Sequence, residues 1–451
     1  MDTPKASIII LVWNGIAYIE ACLQAVLAQD YANFEVIVVD NASSDSSADF
    51  VAERFPQVKL VCNSENVGFS AGNNIGLRAA TGDVLILLNQ DTVVHEGWLA
   101  ALVTALADPT IGLVGCKMLY PDGTIQHAGA YLYGPRGESD HIGRYEQDTG
   151  QYDQAQDVEF VTGASIALTR STLVKIGPLD EGFVPAYYED TDWCYRARQV
   201  GLRVVYCPSA VVTHHESTSI AGAGYVQKAI LHYGRLRFLF KHKPLTWLQA
   251  EFAPAELDWA GHLGRTIEMM AARDAYLRLV LSLPDIFAFR LQPDSPAHSQ
   301  KPLEEWAGLL ALATKLRAVS LTGEAEVQVN GEPQADPLLS PGAELHWTRL
   351  QTHWQIEEHP FQSHVPVVGP GIAAFRQVWN NVSTRWYVLP MIQQQNVFNW
   401  AALNLMTTIA RDMSLVTDQS TREINILARE VVELRHQLAI LEAKLAQVSQ
   451  K

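Results

Sequence analysis

Four groups of residues have the types and spacing for chemistry. Asp91 ends the run GDVLILLNQD (Gly82–Asp91), in which five consecutive aliphatics read as a strand buried on both faces before a polar stop, Asn89-Gln90-Asp91. Ligands of open parallel sheets bind beyond the carboxyl ends of the strands, so Asp91 is either a ligand- or metal-binding carboxylate or part of a cap for the helix whose pattern starts at Trp98. Asp40 ends FEVIVVD in the same way; it can accept hydrogen bonds from the imide N–H of a pyrimidine or from a ribose hydroxyl, or simply terminate its strand. Glu189 and Asp190 follow Tyr187-Tyr188 near a helix start, where amide dipoles favour an ionised Asp190 and two aromatics can floor a sugar ring; the alternative is a first turn decorated with acids. His214-His215 close a β-branched run, and a pair of imidazoles at a strand tip raises the odds of a metal only modestly.

The elements that must carry these residues alternate. Ala6–Val12 is a buried strand ending at Trp13-Asn14-Gly15, and Ile19, Cys22, Leu23, Val26 and Leu27 recur at helical spacing. A second strand (Phe34–Asp40) runs into the turn-rich Asn41-Ala42-Ser43-Ser44-Asp45, a third is Val58–Cys62, Asn66–Asn74 reads as a loop, and Ile75–Ala80 as a helix end. Beyond Asp91 come a helix (Trp98–Ala107), a strand (Ile111–Met118), a hairpin from Tyr120 to Tyr133, a polar loop over 134–157, and a strand Phe160–Thr169. Gly163-Ala164 sits in the middle of that last strand and suits close approach of backbone to a ligand. Alternation of this kind predicts a doubly wound, mostly parallel sheet.

The totals exclude several classes. The chain has 451 residues, room for about three domains, and 33 basic against 49 acidic side chains leave a charge of −16, which argues against nucleic acid as a partner. No GxGxxG follows the first strand and no GxxxxGK[ST] occurs, so dinucleotide and P-loop sites are unsupported. Five scattered cysteines without a CxxC pair read as reduced thiols of a cytoplasmic protein, and no signal-peptide pattern or membrane-length apolar run is seen.

Taken in order, SIIILVWNG, VIVVDNASSDSS, ENVGFSAGNNIG, GDVLILLNQD, FVTGASIALTR, YYEDTDWCYRARQVG and VVTHHESTS resemble the family 2 glycosyltransferases of the GT-A fold, particularly their bacterial rhamnosyltransferase-like branch, over roughly residues 6–245. The resemblance implies an α/β fold, Rossmann-like, with helices flanking a mostly parallel sheet, and a nucleotide-sugar donor site. By it Asp40 contacts the base with Asn41 and Asp45 nearby, Asn66, Gly68 and Asn73 surround the nucleotide, and Trp13, Asn14, Asn89 and Gln90 join the donor site. Asp91 becomes the acid that binds a divalent cation, Mg²⁺ or Mn²⁺, with His214 preferred to His215 as its imidazole partner. Asn89 stands where the family more often has the first aspartate of a DxD pair. Asp190 becomes the base of a single inverting displacement, Glu189 orients acceptor or base, and Gly163, Ala164 and Trp193 lie on the acceptor side, facing a glycan or lipid-linked glycan. An enzymatically silent dimeric scaffold is the competing expectation; a nucleotidyltransferase would want an early basic phosphate loop that is missing here.

The resemblance places the catalytic domain at 1–249. Residues 233–248 (YGRLRFLFKHKPLTWL) interleave cations with aromatics: either a core helix with a solvated cationic face, which is favoured, an amphipathic patch in peripheral contact with the inner face of a membrane, or cations facing the donor diphosphate. A helical accessory region follows at 250–345, with Pro-rich breaks at 290–303 and 330–342, and then a helical interaction or tethering segment at 346–410. In 420–451, Ile424, Val431, Leu438 and Leu445 alternate with Leu427, Leu434, Leu441 and Val448 in four heptads, predicting a terminal coiled coil and a homo-oligomer.

Overall fold

The computed structural model describes residues 3–216, 224–264, 266–291 and 301–322; the tethering segment, the heptads and the break at 330–342 lie outside them, as does most of the break at 290–303. One compact unit takes in Met1–Gly264 and Ala271–Thr322; a second, Arg265–Met270 with Gly323–Lys451, falls almost wholly outside the described residues.

In chain order the elements are β1 (Ala6–Val12), α1 (Ile19–Leu27), β2 (Phe34–Asp40), α2 (Ser47–Arg54), β3 (Lys59–Cys62), α3 (Phe69–Ala79), β4 (Val84–Asn89), β5 (Thr92–Val94), α4 (Trp98–Ala105) and β6 (Ile111–Leu119). They continue with β7 (Ile125–His127), β8 (Ala130–Tyr133), β9 (Glu138–His141), β10 (Gln156–Asp157), β11 (Ser165–Thr169), α5 (Arg170–Ile176), α6 (Glu189–Gln199) and β12 (Arg203–His214). Helices follow: α7 (Gly224–His242), α8 (Leu245–Trp247), a π-helical turn Leu248–Phe252, α9 (Ala253–His262), α10 (Ile267–Arg290) and α11 (Pro302–Thr322). The main sheet runs β10-β12-β6-β11-β4-β1-β2-β3, with β5 on β12 and β7 on β6; β8 and β9 pair separately. Pairs β3–β2, β2–β1, β1–β4 and β6–β12 are parallel, while β11 lies antiparallel between β4 and β6.

The aliphatic runs form strands because both of their faces are covered. Ile8, Ile10, Ile86 and Leu88 point into one core with Cys22 and Leu23 of α1 and Trp98 and Leu102 of α4. Ile9, Leu85 and Leu87 point into the other, against Leu77 of α3 and Trp193 and Ala197 of α6. Cutting one such leucine to alanine would cost about 2–5 kcal/mol. Register then brings chemistry to one edge: Val12 pairs with Asp40 and Leu11 with Asn89, so the ends of β1, β2 and β4 lie side by side. Because β11 is antiparallel, its start faces the same edge, and the Asn89 N–H donates to the Ala164 carbonyl at 2.9 Å. The end of β12 joins them through His214, paired with Thr92.

Several expectations need correction. Helix α3 begins at Phe69, so most of the expected Asn66–Asn74 loop is helix. The segment before Ser165 is not strand, and the polar stretch 134–157 contains β9 and β10. Residues 233–242 belong to α7, in which Arg235, Arg237 and Lys241 are neither membrane-facing, nor solvated, nor turned to a diphosphate, because acids from distant segments neutralise them in the interior; Lys228, earlier on the helix, is exposed. Arg235 bonds Glu256 at 2.6 Å, Arg237 bonds Asp180 at 2.9 Å, and Lys241 bonds Asp180 at 2.7 Å and Asp192 at 2.6 Å. The boundary expected at 249 is bridged in the same way: Arg136 also reaches Glu256, and Arg290 donates to the carbonyls of Phe240 and Lys243. Although burial alone would raise its pKa, Arg235 and Arg136 hold the Glu256 carboxyl down at about 2. No helix among the described residues is long and apolar enough to cross a membrane.

Candidate functional site

The edge assembles from tips of strands. Asp40 is buried; its Oδ2 accepts from the Ser43 N–H at 3.1 Å, while Oδ1 is buried without a hydrogen-bond partner. A buried, unpartnered carboxylate oxygen is costly unless a ligand donor meets it. Around it, Asn41 is a staple: its amide donates to Asn66 Oδ1 at 2.8 Å and accepts from Asn63 Nδ2 and the Val67 N–H. Asn66 in turn accepts from the N–H of Gly68, whose φ of +83° with ψ of 178° is accessible only to glycine. Asn14 and Asp45 tie the loops after β1 and β2 together, Asn14 accepting from the Ser44 N–H at 2.8 Å and Asp45 from the Ile16 N–H at 2.9 Å.

Two donor-site expectations turn out differently. Gln90 accepts from the Trp13 N–H at 2.9 Å and donates to the Trp13 carbonyl at 3.1 Å, so its amide holds the Trp13 loop in place and is not directed at a ligand. Asn73 is buried inside α3 and bonds the Phe69 carbonyl one turn back. Trp13 itself is 38% exposed at the rim, and Asn89 carries its partners on backbone atoms.

Next along the edge, Asp91 is 6% exposed and lies with Oδ1 3.3 Å from His214 Nε2. The other ring nitrogen of His214, Nδ1, is 2.7 Å from Gln126 Oε1. His215 is exposed, with its ring against Tyr18; its N–H donates to the Asp91 carbonyl at 2.9 Å and so zips the end of β12 to the acid. Among the described residues no group of three or more His, Cys, Asp or Glu side chains is placed to hold a metal ion. A carboxylate and an imidazole nitrogen do suit Mg²⁺ or Mn²⁺ when a bound ligand completes the shell.

The second centre adjoins the first through Gly163-Ala164. Asp190, in the first turn of α6, keeps some exposure; its Oδ2 accepts from the Gly163 N–H at 2.9 Å and its Oδ1 from the Thr191 N–H at 2.6 Å. Ala164, the next residue, receives the Asn89 N–H, so one dipeptide is bonded both to Asp190 and to the strand that ends beside Asp91. Burial raises the Asp190 pKa, only partly offset by the two N–H donors and by His141, and among the described residues no Lys or Arg forms a salt bridge with it. Glu189 is buried with Oε2 unpartnered; burial, then the charge of Asp190, push its pKa well up, which favours its protonated form. His141 and the fully buried His127 pack edge to face behind this centre, their ring centroids 4.7 Å apart.

The turn that delivers these acids is strained. Tyr187 and Tyr188 are both left-handed, at φ +76° and +71°, which costs roughly 1–2 kcal/mol for each residue. The Tyr188 hydroxyl donates to the Gly137 carbonyl at 3.0 Å, and Gly234 of α7 lies so close that a Cβ there would sit 2.5 Å from the Tyr187 carbonyl oxygen. Trp193 is not on an acceptor surface: it is fully buried in the core, its indole N–H donating to the Gly177 carbonyl, because it falls on the inward face of α6.

Sequence reading missed two residues here. Gln126 sat in what read as a plain hairpin; a polar side chain alternating with Ile125 on a short strand was the available signal. Asp192 was absorbed into the acidic motif, although Arg196 four residues later marked it as a helix-surface ion pair, observed at 2.8 Å.

Residues 7–177 match the family model described as glycosyl transferase family 2. Over 227 residues, 48% of this chain, the sequence is 33% identical to the O-antigen biosynthesis protein RfbC of Myxococcus xanthus, of which it spans 18%. It is 26% identical over 224 residues to glycosyltransferase AglE of Haloferax volcanii, covering 47% of this chain and 67% of that protein. The mannosyltransferase PcManGT of Pyrobaculum calidifontis, solved with GDP-Man and Mn²⁺, superposes with a TM-score of 0.41 at 19% identity, covering 72% of this chain and 88% of that one.

Proposed function

We propose that this protein is an inverting glycosyltransferase that moves a sugar from a nucleoside diphosphate to a hydroxyl of a bacterial surface glycan or its lipid-linked precursor. The observation that carries the reading is the single edge at which the orphaned Asp40 Oδ1, the Asp91–His214 pair and Asp190 are held by backbone bonds within a few residues of one another.

In this reading Asp40 Oδ1, buried without a hydrogen-bond partner, accepts an N–H of the base. Asp91 and His214 are the residues to hold a divalent cation, Mg²⁺ or Mn²⁺, which when bound supplies positive charge against the diphosphate. Asp190 accepts the proton of the acceptor hydroxyl as that oxygen bonds to the anomeric carbon; the bond from that carbon to the diphosphate oxygen breaks, and its electron pair leaves with the nucleoside diphosphate. A single displacement with inversion at the anomeric carbon is the outcome that the family resemblance implies. The two N–H donors steady the carboxylate, while its raised pKa makes it a better proton acceptor than an exposed aspartate. Glu189, whose burial favours the protonated form, orients its neighbour.

The family resemblance makes dTDP-rhamnose or a UDP-sugar the first donors to try. Calorimetric titration with dTDP, UDP and GDP, with and without Mn²⁺, tests the reading: metal-dependent binding that is lost in Asp91→Ala supports it. Absence of binding by all three would overturn it in favour of a dimeric scaffold. The heptads at 424–448 are proposed to make the chain a homo-oligomer, and deleting 420–451 should then lower its mass in solution while nucleotide binding persists.

A further inference from the structure

We propose that Gln126 is a positioning residue that fixes the tautomer of His214, with Glu216 setting the orientation of Gln126. The inference rests on the reading above that Asp91 and His214 hold a divalent cation.

Gln126 lies on β7, 4% exposed, and its amide has a different partner at each end. Its Oε1 is 2.7 Å from His214 Nδ1, and its Nε2 is 3.5 Å from Glu216 Oε2. A carboxylate can only accept, so Glu216 requires the NH₂ end of the amide, which turns the carbonyl end toward His214. A carbonyl also only accepts, so the proton of the neutral imidazole must sit on Nδ1. That leaves the lone pair on Nε2, 3.3 Å from the Asp91 carboxylate oxygen. Two acceptors at that separation repel unless a positive charge meets both, which is what a metal-binding pair requires. With the amide reversed, Nδ1 would take the lone pair, Nε2–H would donate to Asp91, and the pair would be a closed hydrogen bond with nothing to offer a cation. Glu216 is itself held: Arg144 Nη2 bonds its Oε1 at 3.2 Å, and Arg144 Nε donates to the Tyr120 hydroxyl at 3.2 Å. The relay therefore runs from Arg144 through Glu216 and Gln126 to His214, and Arg144 and Gln126 lie outside the sequence motifs that carry the family resemblance.

The test measures Mn²⁺ affinity by the electron paramagnetic resonance signal of the free ion, with protein saturated in turn with UDP, dTDP and GDP. Gln126→Ala should weaken Mn²⁺ binding by about 10–100-fold, the usual effect of losing an outer hydrogen-bond partner of a ligand histidine. In ¹⁵N-histidine spectra of the metal-free protein, the His214 signal, assigned by its loss in His214→Asn, should report protonated Nδ1 in wild type and lose that bias in Gln126→Ala. The exchanged pair Gln126→Glu with Glu216→Gln keeps an acceptor on Nδ1–H and a donor behind it, and should recover most of the affinity even where Gln126→Ala folds poorly. Wild-type affinity and tautomer in Gln126→Ala would overturn the inference while leaving the metal pair standing, and so would an exchanged pair that folds but binds Mn²⁺ no better than Gln126→Ala. Absence of Mn²⁺ binding by the wild type with all three nucleotides would overturn both.

Discussion

Helix α6 opens with three acids in four residues, and the two sides of that turn are in opposite electrostatic states. Asp192 is fully buried, yet Lys241, Arg196 and His242 surround it; burial alone would raise its pKa, and Lys241 followed by Arg196 hold it well below the usual carboxylate range. Among the described residues neither Glu189 nor Asp190 forms a salt bridge with Lys or Arg, and burial pushes both pKa values up. Ionised Asp192 therefore contributes to stability, and ionised Asp190 detracts from it. A chain that neutralises one acid so thoroughly and leaves its neighbours without a basic partner concentrates the cost of burial at the residue proposed here to take a proton.

Breaking each side separately should give opposite phenotypes. Asp190→Asn should lower turnover by about 10²–10⁴-fold with nucleotide binding intact and melting unchanged or slightly raised, read by product formation beside thermal unfolding. Equal loss of nucleotide affinity would remove Asp190 from the role of base. Asp192→Asn should do the reverse, costing about 1–3 kcal/mol in denaturant unfolding because Arg196 loses its buried carboxylate and Lys241 is left to Asp180 alone, while the folded fraction still binds nucleotide. A mutant of unchanged stability that has lost activity would erase the contrast.

Acid sharpens the same comparison. Activity needs ionised Asp190, so kcat/KM should be full above its raised pKa and fall one decade per pH unit below it, with a midpoint above the ordinary aspartate range. Stability from depressed acids is present above the ordinary carboxylate range and lost as pH falls through their folded values, at about 2 for Glu256. A pH series should accordingly show activity disappearing before unfolding. The smallest effect is expected from Glu189→Gln: a protonated carboxyl and an amide are near isosteres, so turnover should change by less than about tenfold. A larger change would mean that Glu189 ionises in the working enzyme.

Much of this site was legible because strands buried on both faces are continuous aliphatic runs, and a polar stop after such a run must lie at an edge. Asp40, Asp91 and His214 were found in that way, and Asp190 by its place at a helix start. What remained hidden depends on partners far along the chain. The glycines and asparagines of 66–74 made the start of α3 look like loop, but a Cβ at Gly72, or at Gly76 one turn on, would meet Leu11 or Ile9 at 2.5 or 2.2 Å, so the glycines let the helix lie on the sheet and packing overrides propensity. Gln90 reads as a ligand group until the Trp13 backbone is seen across from it. The cations of α7 look like a surface stripe because Asp180 and Glu256, their partners, are tens of residues away.

The strained turn at Tyr187-Tyr188 has a consequence for how such a protein can be inherited. The segment that matches the family ends at residue 177, whereas the acid pair begins at 189, its turn is clamped by Gly234, and the helix bearing that glycine is neutralised by Glu256. Recombination anywhere between the matched segment and α9 would pass on the strand tips but separate them from the Glu189-Asp190 pair or from its clamp. The unit that selection must keep whole is thus longer than the stretch by which kinship is recognised.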